Sequence, residues 1–363
     1  MRILHVLPGL SPGGMERLVI QLAADATAHG DSVMVASGRG AWEEKVITAG
    51  ATHLALPATS RGTAFSMATA SAAARLARCI RRTRPHVVHA HNVRATVLAR
   101  LALVGTHDRI VLMPTIHGVP PGDYGAASRV LRRIALRVIA CAPSVARSLE
   151  AAGFPGDRID VITNGAALHP AGLRRQADLR ASLQLGSAPL VVGIGRLVEQ
   201  KNWPVFIEAA ASLEGPCFAV AGEGPLRQEL MDLARRSGNR VRFLGVVDDI
   251  AALVGLASCV VSTSTWEGLP LTLLEALSVG APVVATAVDG VTDLVPPEAA
   301  LLVAPGDPVA VSEAISRVLA DDDLVRDLRR RALTAAPGWG PEGMLGRYRN
   351  AYQAARAGKS RWV

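Results

Sequence analysis

Long apolar runs are absent. Half of the 363 residues are apolar, yet no run approaches the ~20 residues that a membrane-crossing helix needs. Proline, glycine or arginine cuts each one short. The first residues, MRILHVLPG, form a strand-like run ended by Pro8-Gly9. It is too short for a signal-peptide core and has no cleavage site, so the expectation is a cytoplasmic protein. Cysteine is scarce as well. Cys79, Cys141, Cys217 and Cys259 are scattered without C-x-x-C spacing, which points to buried thiols and away from a disulfide framework or a cysteine metal site. Aromatic residues are only 4%, so the basic residues lack the interleaved stacking groups of a single-strand nucleic-acid surface. Acidic residues run short in one half only. Through Pro170 there are 19 Arg/Lys against 10 Asp/Glu, net +9; beyond it there are 20 against 21, net −1, which together give the +8 of the chain. A basic first half favours an anionic partner there, such as a membrane surface, a lipid phosphate or nucleic acid. Arginine far outnumbers lysine, so genomic composition supplies part of that excess.

What is present is an alternation of strand and helix signals. Residues 2–7 read as a strand, 8–14 as a glycine-rich loop, 15–29 as a helix and 32–37 as a second strand. That is a βαβ start and implies a parallel sheet. Further strands are expected at 87–89, 110–115, 159–162, 190–194, 217–221, 241–244 and 283–286, with helices between them. The length suits two domains. They are expected at 1–168 and 169–340, with a linker and lead-in over 169–188 and a final segment, 341–363, holding an amphipathic helix.

The densest chemistry lies in 260–286. Val260 and Val261 close a buried strand, Trp266-Glu267-Gly268-Leu269-Pro270 follow, and a helix is expected over 271–279. Pro270 suits its first turn, and Gly280 and Pro282 stop it. The helix start offers N–H groups and partial positive charge, a seat for phosphate. Glu267 lies just outside the helix. Glu275 lies inside it among leucines and alanines, where an ionised carboxylate is costly unless paired. Two carboxylates beside an anion seat suit a ligand with both hydroxyls and phosphates, such as a nucleotide sugar. An ordinary strand–helix–strand unit, with Glu275 salt-bridged and Glu267 on the surface, accounts for the same spacing.

Other residues stand where open α/β sheets place ligands, at strand C-terminal edges. Gly193-x-Gly195-Arg196-Leu197-x3-Lys201-Asn202 follows the 190–194 strand; arginine offers phosphate a bidentate fork and lysine a point charge. His91 and His117 each end a strand of the first half, the latter within Thr115-Ile116-His117-Gly118. The loop Gly13-Gly14-Met15-Glu16 lacks the G-x-G-x-x-G spacing of a dinucleotide site.

Together these residues resemble the retaining GT-B glycosyltransferases of family 4. Glu267-Gly268-x-Pro270-x4-Glu275 is similar to that family's E-x7-E block. Gly195-Arg196-x4-Lys201 is similar to its diphosphate-holding element, and Gly13-Gly14-x-Glu16, His91 and His117 to its first-domain motifs. The resemblance implies an α/β GT-B fold: two Rossmann-like parallel-sheet domains facing a cleft, with the last helix crossing back to the first domain. It implies transfer of a sugar from a nucleoside diphosphate to an acceptor hydroxyl, lipid-linked or polysaccharide, with no metal and no other cofactor. The implied catalytic residues are Glu267, His117, Arg196 and Lys201. Gly14, Gly195, Arg196, Lys201, Gly268, Leu269, Pro270, Leu271 and Glu275 would bind the donor, and Gly13 and His91 would lie on the acceptor side. Departures from the pattern are Asn164-Gly165-Ala166-Ala167, which lacks the usual aspartate, and Asp289-Gly290 in place of two glycines.

Arg129, Arg132, Arg133 and Arg137 share one face of a helix expected over 128–140, with no acid between Arg129 and Arg147. The expectation is an outward basic face meeting an anionic membrane. A solvated face is the plainer reading. Asp248-Asp249 reads as a helix cap, since no further acids or histidines cluster with them in sequence to hold a metal. Two rival functions stay open: a nucleotide-sugar epimerase or hydrolase of the same fold, and a basic nucleic-acid-binding module.

Overall fold

The computed structural model describes residues 1–57, 67–106, 109–166, 176–238 and 241–357. Residues 169–175 of the expected linker and the basic tail from Lys359 onward lie outside them, and the rest of that linker holds the helix Gln176–Ser182. The chain forms two units, Met1–Asn164 with Glu342–Val363, and Gly165–Pro341.

Unit 1 carries a seven-stranded, all-parallel sheet. Its strands are β1 Arg2–Val6, β2 Ser32–Ser37, β3 Thr52–Ala55, β4 Val87–His91, β5 Val111–Ile116, β6 Val138–Ala140 and β7 Ile159–Val161, in the order β3-β2-β1-β4-β5-β6-β7. Alternate residues of each strand enter opposite layers, as period-2 geometry requires. Ile3, Val33, Val87 and Met113 pack against the first helix, Gly14–Ala28, and the last, Pro341–Arg356. Leu4, Val88 and Ala90 pack on the other face with Leu76, Ile80 and Ala99. Helices cover both faces, so the strands are apolar nearly throughout.

Unit 2 repeats the plan with six parallel strands. They are β8 Leu190–Ile194, β9 Cys217–Ala221, β10 Arg242–Gly245, β11 Cys259–Ser262, β12 Val283–Thr286 and β13 Leu301–Val303, in the order β10-β9-β8-β11-β12-β13. Val192 and Val260 face the helix Leu271–Ser278; Val191 and Val261 face Phe206 and Ile315. Both units are Rossmann-like. No described helix is long and apolar enough to cross a membrane.

The basic segment corrects the sequence reading. Its helix runs Tyr124–Ile134, and Val138–Ala140 is strand β6. Arg137 therefore lies between the two elements, not on the helix. It is 5% exposed, and its guanidinium grips Asp160 of β7 through two bonds, 2.7 and 3.1 Å, while also donating to the Asp157 carbonyl. The arginine spacing fits a helix, but Val138-Ile139-Ala140 is a buried run that the sheet claims. Arg129, Arg132 and Arg133 remain exposed on the helix.

Candidate functional site

Strand order decides where chemistry gathers. It reverses between neighbours β1 and β4 in unit 1, and between β8 and β11 in unit 2. The crevice outside the carboxyl ends of such strands is the usual ligand position. In unit 2, Val261 of β11 pairs with Gly193 of β8, so the segments after these strands leave the sheet side by side. They are tied together. The Thr265 amide donates to the Gln200 carbonyl at 2.9 Å, the Thr263 hydroxyl to the Lys201 carbonyl at 2.9 Å, and the Gln200 side chain to the Trp266 carbonyl at 3.1 Å. This brings Lys201 Nζ to 2.5 Å from Glu267 Oε1, with the two side chains 16% and 5% exposed. Ser264 Oγ donates to the same oxygen at 2.6 Å, and Gln200 Nε2 lies 3.4 Å from the other. The Ser264 carbonyl is itself held by the Thr286 hydroxyl at 2.6 Å.

Glycine makes the room. A Cβ on Gly195 would sit 3.2 Å from Lys201 Cε, and one on Gly193 would collide with the Trp203 ring. A Cβ on Gly290 would collide with the Glu267 backbone, so the glycine kept in Asp289-Gly290 has a steric reason. The choice of lysine is informative, because the whole chain contains only Lys45, Lys201 and Lys359. A thin unbranched stem fits past Gly195 where an arginine fork is the chain's default cation. Arg196 is exposed and makes no ion pair with another described side chain. Its carbonyl accepts from the Trp203 indole at 2.8 Å.

The helix Leu271–Ser278 buries Glu275, which is 2% exposed. Pro270 is its cap residue, outside the first turn. The expected row of free amides is shorter than the sequence suggested: Pro270 has no N–H, and the Leu271 amide donates to the Leu269 carbonyl at 3.1 Å. Gly268 and Leu271 are buried and Leu269 is partly exposed.

Unit 1 gathers imidazoles. His5 pairs with His89 across β1 and β4, and His89 and His91 share one face of β4. His89 engages the Tyr352 hydroxyl and the Thr115 hydroxyl, each at 2.7 Å. His5 Nδ1 lies 3.0 Å from His91 Nε2, and His91 Nδ1 lies 3.3 Å from His117 Nε2. The expected absence of a metal cluster needs amending here, because His5, His89 and His91 can bring one ring nitrogen each within 4.8 Å of one another. As they stand, the nitrogens of His89 and His91 are committed to hydrogen bonds. Burial pushes the His5 pKa down to about 3 and that of His117 down to about 4, and holds His89 and His91 well below the ordinary value of 6.5. All four are neutral at pH 7. His91 is thus a buried link, while His117 is partly exposed.

Two neutral tautomer patterns satisfy both imidazole bonds. In one, His5 Nδ1–H donates to His91, His91 Nδ1–H donates to His117, and His117 keeps an outward Nδ1–H. In the other, every donor reverses, and His5 Nε2–H is left buried. His5 Nε2 has no hydrogen-bond partner. A buried orphan N–H is rarer than a bare acceptor, so the first pattern wins and His117 presents a donor.

At the start of the first helix, Gly13 is the cap residue and Gly14 the first helical position, one residue earlier than the sequence suggested. A Cβ on Gly13 would collide with the carboxylate of Glu16, which folds back over the helix start as a capping glutamate does. Arg132 and Arg133 stand at the opposite edge of the sheet from His91 and His117, before β6. The acceptor-side residues expected from sequence therefore fall in two separate places. Sequence reasoning missed Gln200, Ser264, His5 and Tyr352.

Residues 12–169 match the family model Glycosyltransferase Family 4, and residues 188–321 match Glycosyl transferases group 1. Alpha-D-kanosaminyltransferase of Streptomyces kanamyceticus is 34% identical over 172 residues, 45% of this chain and 44% of that protein. Putative glycosyltransferase EpsF of Bacillus subtilis is 26% identical over 97% of this chain and 96% of that protein. The chain spans about half the length of several curated relatives it matches. The crystal structure of Anabaena Alr3699/HepE in complex with UDP-glucose has the same fold, with a TM-score of 0.84 at 21% identity, covering 98% of this chain and 100% of that one.

Proposed function

The chain belongs to the family-4 glycosyltransferases and has the GT-B fold, and from that premise we propose that it moves a glycosyl unit from a nucleoside-diphosphate sugar to an acceptor hydroxyl with retention of anomeric configuration. The observation that carries this reading is the Lys201–Glu267 pair with exposed Arg196 beside it. Arg196 and Lys201 stabilise the charge that develops on the departing diphosphate, a stabilisation greater in the transition state than in the ground state. Glu267, fixed by Ser264 and Gln200, accepts from hydroxyls of the transferred sugar and orients it. Glu275 accepts from the ribose hydroxyls, and His117 donates to the sugar. The leaving phosphate oxygen takes the acceptor proton on the same face, so no side-chain base is needed. Two cations neutralise the diphosphate, so the step is proposed to need no metal. The basic balance of the first half suits an acceptor carried on a lipid, worked on from the cytoplasmic side.

The test has two parts. Labelled nucleotide sugars are incubated with and without hydroxyl acceptors, and the product anomer is read by NMR; release of free sugar alone would favour the hydrolase reading. Calorimetry with the bare nucleoside diphosphate then separates the glutamates. Glu275→Gln weakens binding about tenfold, roughly the loss of one charge-assisted hydrogen bond, whereas Glu267→Gln leaves it within about twofold and depresses transfer. Equal binding losses in both variants would contradict these roles.

A further inference from the structure

We propose that a groove of about 740 Å³ at the N-terminal edge of the unit 1 sheet is a binding site for a phosphate-bearing anion, separate from the transferase residues. His86 precedes β4, Arg109 precedes β5, Arg132 and Arg133 precede β6, and Arg158 immediately precedes β7. Arg100 and Arg356 reach the groove from the last turns of their helices. No acidic side chain lines it among the described residues. His91 and His117 lie at the other ends of β4 and β5, roughly 15–20 Å away along strands that rise about 3.3 Å per residue.

A simpler account is that arginines decorate helix C-termini, whose partial negative charge they complement. The magnitudes decide against it. Each helix end carries about half a charge, so the ends of Val93–Ala102, Tyr124–Ile134 and Pro341–Arg356 offset only a fraction of six guanidiniums. Arg158 donates to the Ala135 and Leu136 carbonyls and Arg132 to the Gly153 carbonyl, which satisfies hydrogen bonds without neutralising charge. Arg100, Arg109, Arg133 and Arg356 make no ion pair with a described side chain. Planar guanidinium forks converging in a concave site match phosphate oxygens in geometry and charge. The chemistry fits a free oligophosphate or the headgroups of an anionic lipid. Leu136, in the groove, is 60% exposed.

His86 reports occupancy. Its Nδ1 accepts from the Arg2 amide at 2.9 Å, and its pKa is lowered by burial and then by the neighbouring Arg2 and Arg356. An anion in the groove raises it. The experiment follows the His86 ring protons by NMR across pH, with pyrophosphate, phosphatidylglycerol vesicles or phosphatidylcholine vesicles as probes. Binding constants are measured for the wild type, Arg100→Gln/Arg356→Gln and the control Arg81→Gln/Arg82→Gln, which removes equal charge from two exposed arginines in the last turn of Met67–Thr83 that do not line the groove. The expected result is a rise of about half a unit or more in the His86 pKa, and at least tenfold weaker binding in the groove variant, with the control within twofold. Pyrophosphate binding identifies a free oligophosphate as sufficient; binding to phosphatidylglycerol vesicles alone identifies headgroups. Equal weakening in both double variants would mean diffuse attraction to a basic chain. That result, or no binding of any anionic probe, overturns the proposal.

Discussion

The two sheets share a topology and place their chemistry at equivalent strand ends, yet they handle charge in opposite ways. At the ends of β8 and β11 the side chains are ionic, a Lys201–Glu267 pair with Arg196 in solvent beside it. At the ends of β1 and β4 they are imidazoles held neutral by burial. Every histidine among the described residues belongs to unit 1. The difference follows from depth. The unit 2 segments leave the sheet before they meet, so their charges retain some solvent. His5 and His89 sit within the strands against Tyr348 and Tyr352 of the last helix, and His91 is fully buried beside them, where a lone cation would be too costly.

The largest effect should break the ionic side. Arg196→Ala is expected to lower kcat/KM by roughly 10²–10³-fold, the size of losing one oxyanion-type donor, while leaving the melting temperature unchanged, because the side chain is exposed and makes no described ion pair. Lys201→Ala should lower activity comparably and also destabilise the fold, since it strands Glu267 as a nearly buried charge. Steady-state kinetics with thermal melts read both. A folded Arg196→Ala enzyme with near-normal turnover would remove the diphosphate role.

Next in size is an asymmetry in acid. A histidine whose folded pKa lies below its unfolded value binds its proton first in the unfolded chain. Stability then rises with pH between the two values, and acid erodes it. For His5 and His117 that window runs from about 6.5 down to about 3 and about 4. Each fully titrating histidine contributes a slope of about 1.4 kcal/mol per pH unit. Unit 1 should therefore lose protection as pH falls from 6.5 to 4.5, while unit 2, with no described histidine, holds. Hydrogen exchange by mass spectrometry, corrected for intrinsic rates, compares peptides of 1–164 with peptides of 165–341. Earlier loss in the second set would refute the assignment.

The same comparison shows what the sequence could disclose. The unit 2 residues were legible because they lie in short stretches directly after strands: Arg196 to Lys201 after β8, Glu267 to Glu275 after β11. The ion pair was not, since its partners are 66 positions apart. In unit 1, His89 and His91 advertise a shared face by period 2, but His5 joins them only once β1 lies beside β4, and Tyr352 arrives from 263 residues along the chain. Arg137 misled for a related reason. Its helical spacing is local, whereas the Asp160 that claims it lies 23 positions on, in a neighbouring strand.

The smallest effect sharpens the imidazole side. If the orphan position of His5 Nε2 sets the tautomer of the row, His117 in the free protein carries its proton on Nδ1. Long-range proton–nitrogen NMR distinguishes that form from the Nε2–H form directly. His5→Leu removes the donor to His91 and frees the remaining pair to adopt either direction, so the His117 signals should shift toward a mixture. The cost should be about three- to tenfold in kcat/KM, the equivalent of about one net hydrogen bond. His5→Gln, which can donate and accept, should recover part of it. A packing defect alone would lower stability and leave the His117 tautomer unmoved. A wild-type His117 protonated on Nε2 would reverse the direction of the row and make the ring an acceptor.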